Sequence, residues 1–195
     1  MKKSSNNTKS RIVSAAWKLF YEQGFDKTTV DEIVELSATS KGSFYHYFDS
    51  KEALLGSLSY LFDEKYIELE PTLDYSKGYL SALFYLTKEL FLMIENNIDI
   101  ELLSRFYAQQ LSRKGERELI DHARQYYKLT KKIVGLGQEN GEITKEKSSA
   151  EIVRLYALCE RALLYDWCLH GGEYSLSEYS QTVMPLFLSG LKAEG

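Results

Sequence analysis

Hydrogen-bonding side chains are concentrated in one short stretch, SKGSFYHYFDSKE, which covers residues 40–52. Lysine and serine can donate hydrogen bonds to nucleic-acid bases or phosphates, and tyrosine and histidine can bond phosphate oxygens. On a helix that starts at Lys41, Phe44 and Phe48 are four residues apart and share one face. Burial of each ring would contribute about 1.5–3 kcal/mol and fix a helix too short to be stable alone. The opposite face is then left free to meet a duplex.

The small start of this helix suits a DNA major groove, because Gly42 has no side chain to hold the helix away from the base edges. Thr29 and Lys51 also begin predicted helices, whose unpaired amide groups attract phosphate. The residues expected to contact DNA are Thr28, Thr29, Thr39, Ser40, Lys41, Gly42, Ser43, Tyr45, His46, Tyr47 and Lys51. The alternative interpretation is an ordinary polar helix face with half-buried tyrosines, which is common in soluble proteins.

Three short helices are predicted to position these residues. Apolar residues recur over residues 8–23 with the spacing of an amphipathic helix, and Gly24 ends that helix. The tetrapeptide TVDE, from Thr29, is a capping box that starts a second helix. After a three-residue turn, Ser40 can cap the third. The two short helices must pack on the first to be stable, which is the layout of a helix-turn-helix.

The run TTVDEIVELSATSKGSFYHYFDSKEALL resembles the helix-turn-helix of the tetracycline-repressor (TetR) family, and RIVSAAWKLFYEQGF resembles the helix that precedes it. The resemblance is specific over about residues 10–60. It implies a DNA-binding head on a helical body that forms a dimer and holds an inducer. The turn departs from the family pattern, because Ser37-Ala38-Thr39 stands where the family often has Ala-Gly-Val. Ala38 therefore replaces the residue that most readily adopts a left-handed conformation.

Beyond residue 50 the sequence shows long helical patterns. They cover roughly residues 51–69, 76–95, 99–112, 116–139, 149–170 and 176–191. Two further capping boxes begin at Ser148 and Ser175, and Gly171-Gly172 separates the last two helices. We therefore expect an all-α fold. Residues 1–51 would form a three-helix helix-turn-helix DNA-binding domain, and residues 52–195 a helical ligand-binding and dimerisation domain.

Charge is divided unevenly along the 195 residues. The net charge is −4, but residues 1–51 hold eight Lys/Arg and six Asp/Glu, so the remainder carries net −6. A mildly basic head on an acidic body is compatible with DNA binding.

No apolar run approaches the roughly 18 residues of a membrane span, and the polar start MKKSSNNTKS is unlike a signal peptide. Cys159 and Cys168 are nine residues apart, on opposite faces of one helix, so we expect free thiols and a cytoplasmic protein.

The body is rich in aromatic residues, which either form its core or line a cavity for a mostly apolar small molecule. For any single aromatic residue the core interpretation is the commoner one. The candidates for contact with an effector of unknown identity are Arg105, Phe106, His122, Tyr126, Cys159 and Trp167.

The last two helices carry more apolar surface than one chain needs to pack them. A two-fold homodimer, in which they form a four-helix bundle with their copies, would bury it, and the family resemblance implies the same arrangement. The residues expected at this dimer interface are Leu158, Ala162, Leu169, Tyr179, Val183, Met184 and Phe187.

These features predict a ligand-responsive transcriptional regulator, a repressor, which binds a near-palindromic DNA operator as a dimer and is released by an inducer. A homodimeric protein-interaction module is the alternative. An all-α enzyme is less favoured, because the three histidines have no metal-ligand spacing and no GxSxG, P-loop or GxGxxG motif occurs. We accordingly expect neither catalytic residues nor a metal or other cofactor.

Overall fold

The computed structural model describes residues 2–193, with side chains from residue 8 onward. Within that range the chain forms nine α-helices and no β-strand. They are α1 (Lys2–Gln23), α2 (Val30–Leu36), α3 (Lys41–Tyr47), α4 (Leu58–Leu69), α5 (Tyr79–Asn97), α6 (Ile100–Ser112), α7 (Gln125–Glu139), α8 (Ser149–Leu169) and α9 (Leu176–Ser189). Short 3-10 helices cover Glu52–Ser57, Glu70–Thr72, Tyr75–Lys77 and Glu118–Ile120. We call α1–α3 the head and α4–α9 the body.

The predicted helix caps of the head are confirmed. The Thr29 hydroxyl accepts a hydrogen bond from the Glu32 amide, and the Glu32 carboxylate accepts one from the Thr29 amide at 2.7 Å. This bond to the backbone holds the pKa of Glu32 below its usual value. Ser40 accepts from the Ser43 amide at 3.1 Å to start α3. Each cap satisfies an amide that the first helical turn leaves unpaired.

The turn between α2 and α3 contains a left-handed residue without glycine. Ala38 has a φ of +48°, a conformation that crowds a Cβ atom. The guanidinium of Arg11, on α1, donates hydrogen bonds to the carbonyl oxygens of Ser37 and of Ala38, the second at 2.6 Å. A side chain of the first helix therefore holds the turn in place.

The head has its own apolar core, as the phenylalanine spacing predicts. Phe44 and Phe48 are both buried, with ring centroids 5.8 Å apart, and they lie in one cluster with Ile12 and Phe20 of α1. Leu102 of α6 belongs to the same cluster, so the body contributes to the core of the head. The short third helix is thus fixed by tertiary packing.

In the body, α5 packs on α4, α7 and α9, and α8 packs on α6, α7 and α9. The serine caps at Ser148 and Ser175 form, since each hydroxyl accepts a hydrogen bond from the amide three residues on. The reciprocal bond of a complete capping box is recorded at Thr29. Gly171 and Gly172 end α8 with φ of +59° and +76°. No helix in the described range is long and apolar enough to cross a lipid bilayer.

Two predicted helices start later than expected. Residues 116–124 were predicted to be helical, but α7 begins at Gln125 and the preceding segment is irregular apart from one 3-10 turn. Gly115 has a φ of +94°, which is not a helical conformation. The Asp121 carboxylate accepts a hydrogen bond from the Ala123 amide, and this local turn competes with a helix at these residues. The helix predicted from residue 51 likewise opens with the 3-10 segment Glu52–Ser57 before α4.

Candidate nucleic-acid interface and buried cavity

The outer face of α3 is not covered by the described part of the chain. Lys41, Gly42 and His46 are exposed, and Tyr45 is 53% exposed. A Cβ added to Gly42 would meet nothing closer than the Ser40 hydroxyl at 3.8 Å, so the helix start presents bare backbone. Such a face can lie against base edges in a groove about 12 Å wide.

Hydrogen-bonding groups surround this face. The Lys41 ammonium pairs with the Asp31 carboxylate at 2.7 Å, which raises the pKa of Lys41, and both groups are exposed to solvent. The hydroxyls of Ser40 and Ser43 lie 3.0 Å apart, and Thr39 bonds the Ser37 hydroxyl at 2.8 Å. The Lys41–Asp31 and Ser40–Ser43 contacts are exposed and therefore weak, so a phosphate or a base edge can replace them, whereas Ser37 is buried beneath Thr39.

Thr29 and Tyr47 flank the same face. The Thr29 hydroxyl also donates to the Glu32 carboxylate at 2.8 Å, so its role in the described structure is to cap α2. Tyr47 is half-buried, with its ring 4.8 Å from that of His46 in an edge-to-face arrangement. Tyr47 therefore lies beside the predicted groove-facing residue His46.

Thr28 and Lys51 do not belong to this open surface. Thr28 is buried, and its hydroxyl donates to the Gly24 carbonyl at 2.8 Å. The Lys51 ammonium donates to the carbonyl oxygens of Phe25 at 2.7 Å and of Thr28 at 2.9 Å, and it lies 4.3 Å from the centre of the Phe25 ring. The Lys51 ammonium group therefore holds the loop between α1 and α2. The sequence predicts a phosphate contact for this residue instead.

A small buried cavity of about 40 Å³ lies between α4, α5, α6, α7 and α8. It is lined by Phe62, Tyr66, Leu90, Tyr107, Leu119, Arg124, Tyr126, Ala157, Glu160, Arg161 and Leu164. Glu160 is 3% exposed, and its carboxyl group accepts hydrogen bonds from the Tyr126 hydroxyl at 2.7 Å and the Thr87 hydroxyl at 2.8 Å. Burial raises the pKa of Glu160, and these hydrogen bonds oppose that effect.

An ion pair closes one side of the cavity. The Arg124 guanidinium donates to both carboxylate oxygens of Asp63 at 3.1 Å and to the Ser59 carbonyl at 2.8 Å. Asp63 also accepts from the Tyr126 amide at the start of α7. The pair therefore helps to fix where α7 begins.

Of the six effector candidates, Tyr126 lines the cavity. Phe106 packs behind it against Phe62, with ring centroids 6.3 Å apart. Arg105 bonds Asp26 in the head, and His122 is exposed on the segment before α7. The other two lie elsewhere on α8: the Cys159 sulfur is 3.6 Å from that of Met184, and the Trp167 indole donates to the Tyr174 carbonyl.

Sequence reasoning missed Glu160, Tyr66 and Tyr107. A signal for Glu160 was present in the stretch RLYALCERALLY, because it lies four residues after Tyr156 on the buried face of α8. A carboxylate on an apolar helix face needs either a partner or a function. The two tyrosines are ordinary core residues in sequence, and only the fold brings their hydroxyls to the cavity.

The predicted dimer residues fall into two groups. Leu158, Ala162, Leu169 and Tyr179 are exposed, and Val183 and Phe187 are half-buried. Met184 is fully buried, because the apolar face of α9 turns it towards the chain's own core. Tyr165 and Leu186 are exposed large apolar side chains on the same two helices and were not predicted.

Residues 12–58 match the family model for bacterial regulatory proteins of the tetR family. The chain is 31% identical over 153 residues to the uncharacterized HTH-type transcriptional regulator YvdT of Bacillus subtilis, which covers 74% of each chain. It is 24% identical to the HTH-type transcriptional repressor KstR2 of Mycobacterium tuberculosis over 97% of this chain and 96% of that one. Its fold is similar to the crystal structure of Thermus thermophilus FadR, a TetR-family transcriptional repressor in complex with lauroyl-CoA, with a TM-score of 0.72, 23% identity and coverage of 95% and 96%.

Proposed function

Since this chain belongs to the TetR family of bacterial regulatory proteins, we propose that it is a transcriptional repressor whose affinity for DNA is controlled by a small molecule. In this proposal a homodimer binds a near-palindromic operator, and an effector bound in the body weakens the complex. The observation that carries the proposal is the uncovered outer face of α3. Phe44 lies on the buried face of α3, and Lys41, Gly42 and Tyr45 are exposed on the opposite face.

A dimer would place two copies of α3 against one duplex. Half-sites of a near-palindrome lie about 34–36 Å apart when two recognition helices enter successive major grooves. The partner surface is the exposed apolar patch on α8 and α9, which we call the α8–α9 patch. It consists of Leu158, Ala162, Tyr165, Leu169, Tyr179 and Leu186, with Val183 and Phe187 at its edge. A patch of this kind on a soluble protein marks an interaction surface.

Helix α6 connects the cavity to the head. Tyr107 of α6 lines the cavity, and Leu102 of the same helix lies in the apolar core of the head. The Arg105 guanidinium bonds the Asp26 carboxylate at 2.7 Å, and the Gln109 amide donates to the Glu52 carbonyl at 2.7 Å. A ligand that moves α6 would therefore move the head of the same protomer, and it would change DNA affinity by its differential affinity for the two arrangements.

The test is binding of the purified chain to fluorescent DNA from its own upstream region, measured by anisotropy over a range of salt concentrations. Affinity should fall steeply with salt, because phosphate contacts release counterions. Tyr45→Ala and Lys41→Ala should each weaken binding at least about ten-fold, the cost of one or two lost contacts. Lys128→Ala, which removes an exposed lysine of the body, is the matched control.

A protein-interaction module would behave differently in the same assay. It would show no specific binding to the upstream fragment, or binding with a flat salt profile. Equal affinities for Lys41→Ala, Tyr45→Ala and Lys128→Ala would likewise contradict the proposed role of α3.

A further inference from the structure

The cavity in the body contains a buried carboxyl group without a cationic partner. Glu160 projects from α8 and is bonded by the hydroxyls of Tyr126 and Thr87, which are neutral. None of the ion pairs in the described part of the chain includes Glu160. Hydrogen bonds alone compensate only part of the cost of burying a charge.

Two tyrosine hydroxyls beside this carboxyl group have no hydrogen-bond partner. The oxygens of Tyr66 and Tyr107 are buried and unpaired within residues 8–193, and both residues line the same cavity. Buried polar groups are nearly always bonded in folded proteins, so two such groups in one cavity indicate a ligand or ordered water.

Two arginines, Arg124 and Arg161, also line the cavity, and neither forms an ion pair with Glu160 in the described structure. Arg124 is paired with Asp63 in a two-bond arrangement and donates to the Ser59 carbonyl. Arg161 donates to the Tyr127 hydroxyl at 3.3 Å. The carboxyl group of Glu160 therefore stays the one charged acceptor in the cavity lining that lacks a cation in the described structure.

Aromatic rings form the walls around that carboxyl group. The ring centroids of Tyr66 and Tyr126 are 5.2 Å apart, and those of Tyr126 and Tyr156 are 6.4 Å apart and nearly parallel. The faces of tyrosine rings attract cations, most strongly where water is excluded. A carboxyl group and several tyrosines in one largely buried space are complementary to a positive charge on an apolar body.

We propose that this cavity binds a small organic cation, a protonated amine attached to an aromatic or alicyclic body, with Glu160 as its counter-ion. The ammonium group of the ligand would bond Glu160 and the oxygens of Tyr66 and Tyr107. The apolar body of the ligand would take the place of the Leu119 side chain in the cavity lining. The inference rests on the proposed function, because it names the chemical class of the effector. An anionic ligand would bring a second negative charge to Glu160 and is disfavoured.

The cavity must enlarge to admit such a ligand, since about 40 Å³ holds no more than a few water molecules. The wall that can move is the irregular segment of residues 113–124, which carries Leu119 and is mostly exposed. Glu118 ties it to α6 by a hydrogen bond from Gln110, and Glu118 also bonds Arg113 within the segment. Displacing Leu119 opens the cavity towards solvent and leaves the Arg124–Asp63 pair in place.

Three probes of similar size and different charge test the proposal: 2-phenylethylamine (a cation at neutral pH), 2-phenylethanol (neutral) and phenylacetate (an anion). Isothermal titration calorimetry on the full chain should give an affinity for the amine at least about ten-fold higher than for the alcohol, and none measurable for phenylacetate. The opposite order, equal affinities, or no binding of the amine at millimolar concentration would overturn the proposal.

Glu160→Gln removes the charge and keeps the shape. It should abolish the preference for the amine and leave the affinity for the alcohol within about two-fold. Glu151→Gln, on the exposed start of α8, should leave both affinities unchanged. Unchanged affinity for the amine in Glu160→Gln would contradict the counter-ion role.

Should Glu160→Gln fail to fold, Tyr107→Phe replaces it, because removing an unpaired hydroxyl does not destabilise the core. This variant should lose amine affinity several-fold and keep alcohol affinity. Operator binding, measured in parallel, separates the two hypotheses. Amine binding without any DNA binding would contradict the proposed repressor function and support the cation-binding cavity. DNA binding without amine binding would support the repressor function and contradict the cation-binding cavity.

Discussion

The Arg105 guanidinium on α6 lies 2.7 Å from the Asp26 carboxylate in the loop after α1, and this ion pair joins body to head. The guanidinium also lies 5.3 Å from the centre of the Phe25 ring and bonds Glu101 one turn earlier on α6. One side chain therefore contacts the loop that carries the start of α2. In the proposed mechanism this contact, together with Leu102 in the core of the head, would couple a shift of α6 to the helix-turn-helix.

The Arg105–Asp26 pair should contribute modestly to stability, because both side chains are partly exposed. A double-mutant cycle with Arg105→Gln and Asp26→Asn is expected to give a coupling free energy of about 0.2–1 kcal/mol. Denaturant unfolding monitored by circular dichroism measures it. A coupling of zero would mean that the two side chains do not interact in solution.

Lys51→Met should destabilise the head rather than act on DNA directly. The ammonium group holds two carbonyl oxygens of the loop after α1, and losing hydrogen bonds from a charged donor costs about 1.5–3 kcal/mol. Urea unfolding should show the loss, and the salt slope of DNA binding should stay unchanged. Lys27→Met, at an exposed neighbouring position, is the control. A stable Lys51→Met protein whose salt slope falls by about one would restore the phosphate contact.

Ala38→Gly should stabilise the protein by about 0.5–1 kcal/mol, because glycine adopts the φ of +48° without the crowding of a Cβ atom. Ala38→Val should have the opposite effect, since a β-branched residue resists this conformation more strongly. Thermal unfolding of the two variants compares them directly. If the glycine variant melted lower than the parent chain, the left-handed turn would not persist in solution.

The α8–α9 patch should hold the dimer together. Leu186 is 73% exposed, and Leu186→Glu and Leu158→Glu each place a charge where a two-fold partner would bury an apolar side chain. Sedimentation velocity at micromolar concentration should show a dimer for the parent chain and a monomer for these variants. Leu111→Glu, at an equally exposed leucine of α6, should leave the dimer intact. A parent chain that sediments as a monomer would refute the interface.

Stability should depend on the ionisation of Glu160. Its pKa in the folded protein is raised by burial, so the folded state binds its proton more tightly than the unfolded state does. The resulting stabilisation is complete below the usual carboxyl pKa of 4.5 and is lost as pH rises through the raised value. Unfolding free energies measured from pH 4 upward should therefore fall for the parent chain relative to Glu160→Gln. A constant difference between the two proteins over that range would show that Glu160 has no raised pKa.

The sequence was sufficient for the features that local chemistry determines. The capping box at Thr29, the serine cap of α3 and the buried spacing of Phe44 and Phe48 all follow from rules that involve a few adjacent residues. The outward face of α3 follows from the same spacing. This is why the caps and the buried face of the two short helices could be predicted from the sequence.

Features that depend on distant contacts could not be predicted. Lys51 bonds carbonyl oxygens about 25 residues away, and Arg124 pairs with Asp63 across the body. Met184 has the same helical spacing as its exposed neighbours on α9, yet the packing of α9 on α5 buries it. In each case the residues that the fold brings into contact, and not the residue type, determine what the side chain does.

Hydroxyl-radical footprinting of the protein tests the central claim most directly, because Tyr45 and His46 are exposed, readily oxidised side chains on the outer face of α3. Saturating the chain with its operator should protect both from oxidation, while Tyr85 on the body reacts at the same rate with and without DNA. Oxidation of Tyr45 and His46 at unchanged rates in the DNA complex would show that another surface contacts the duplex.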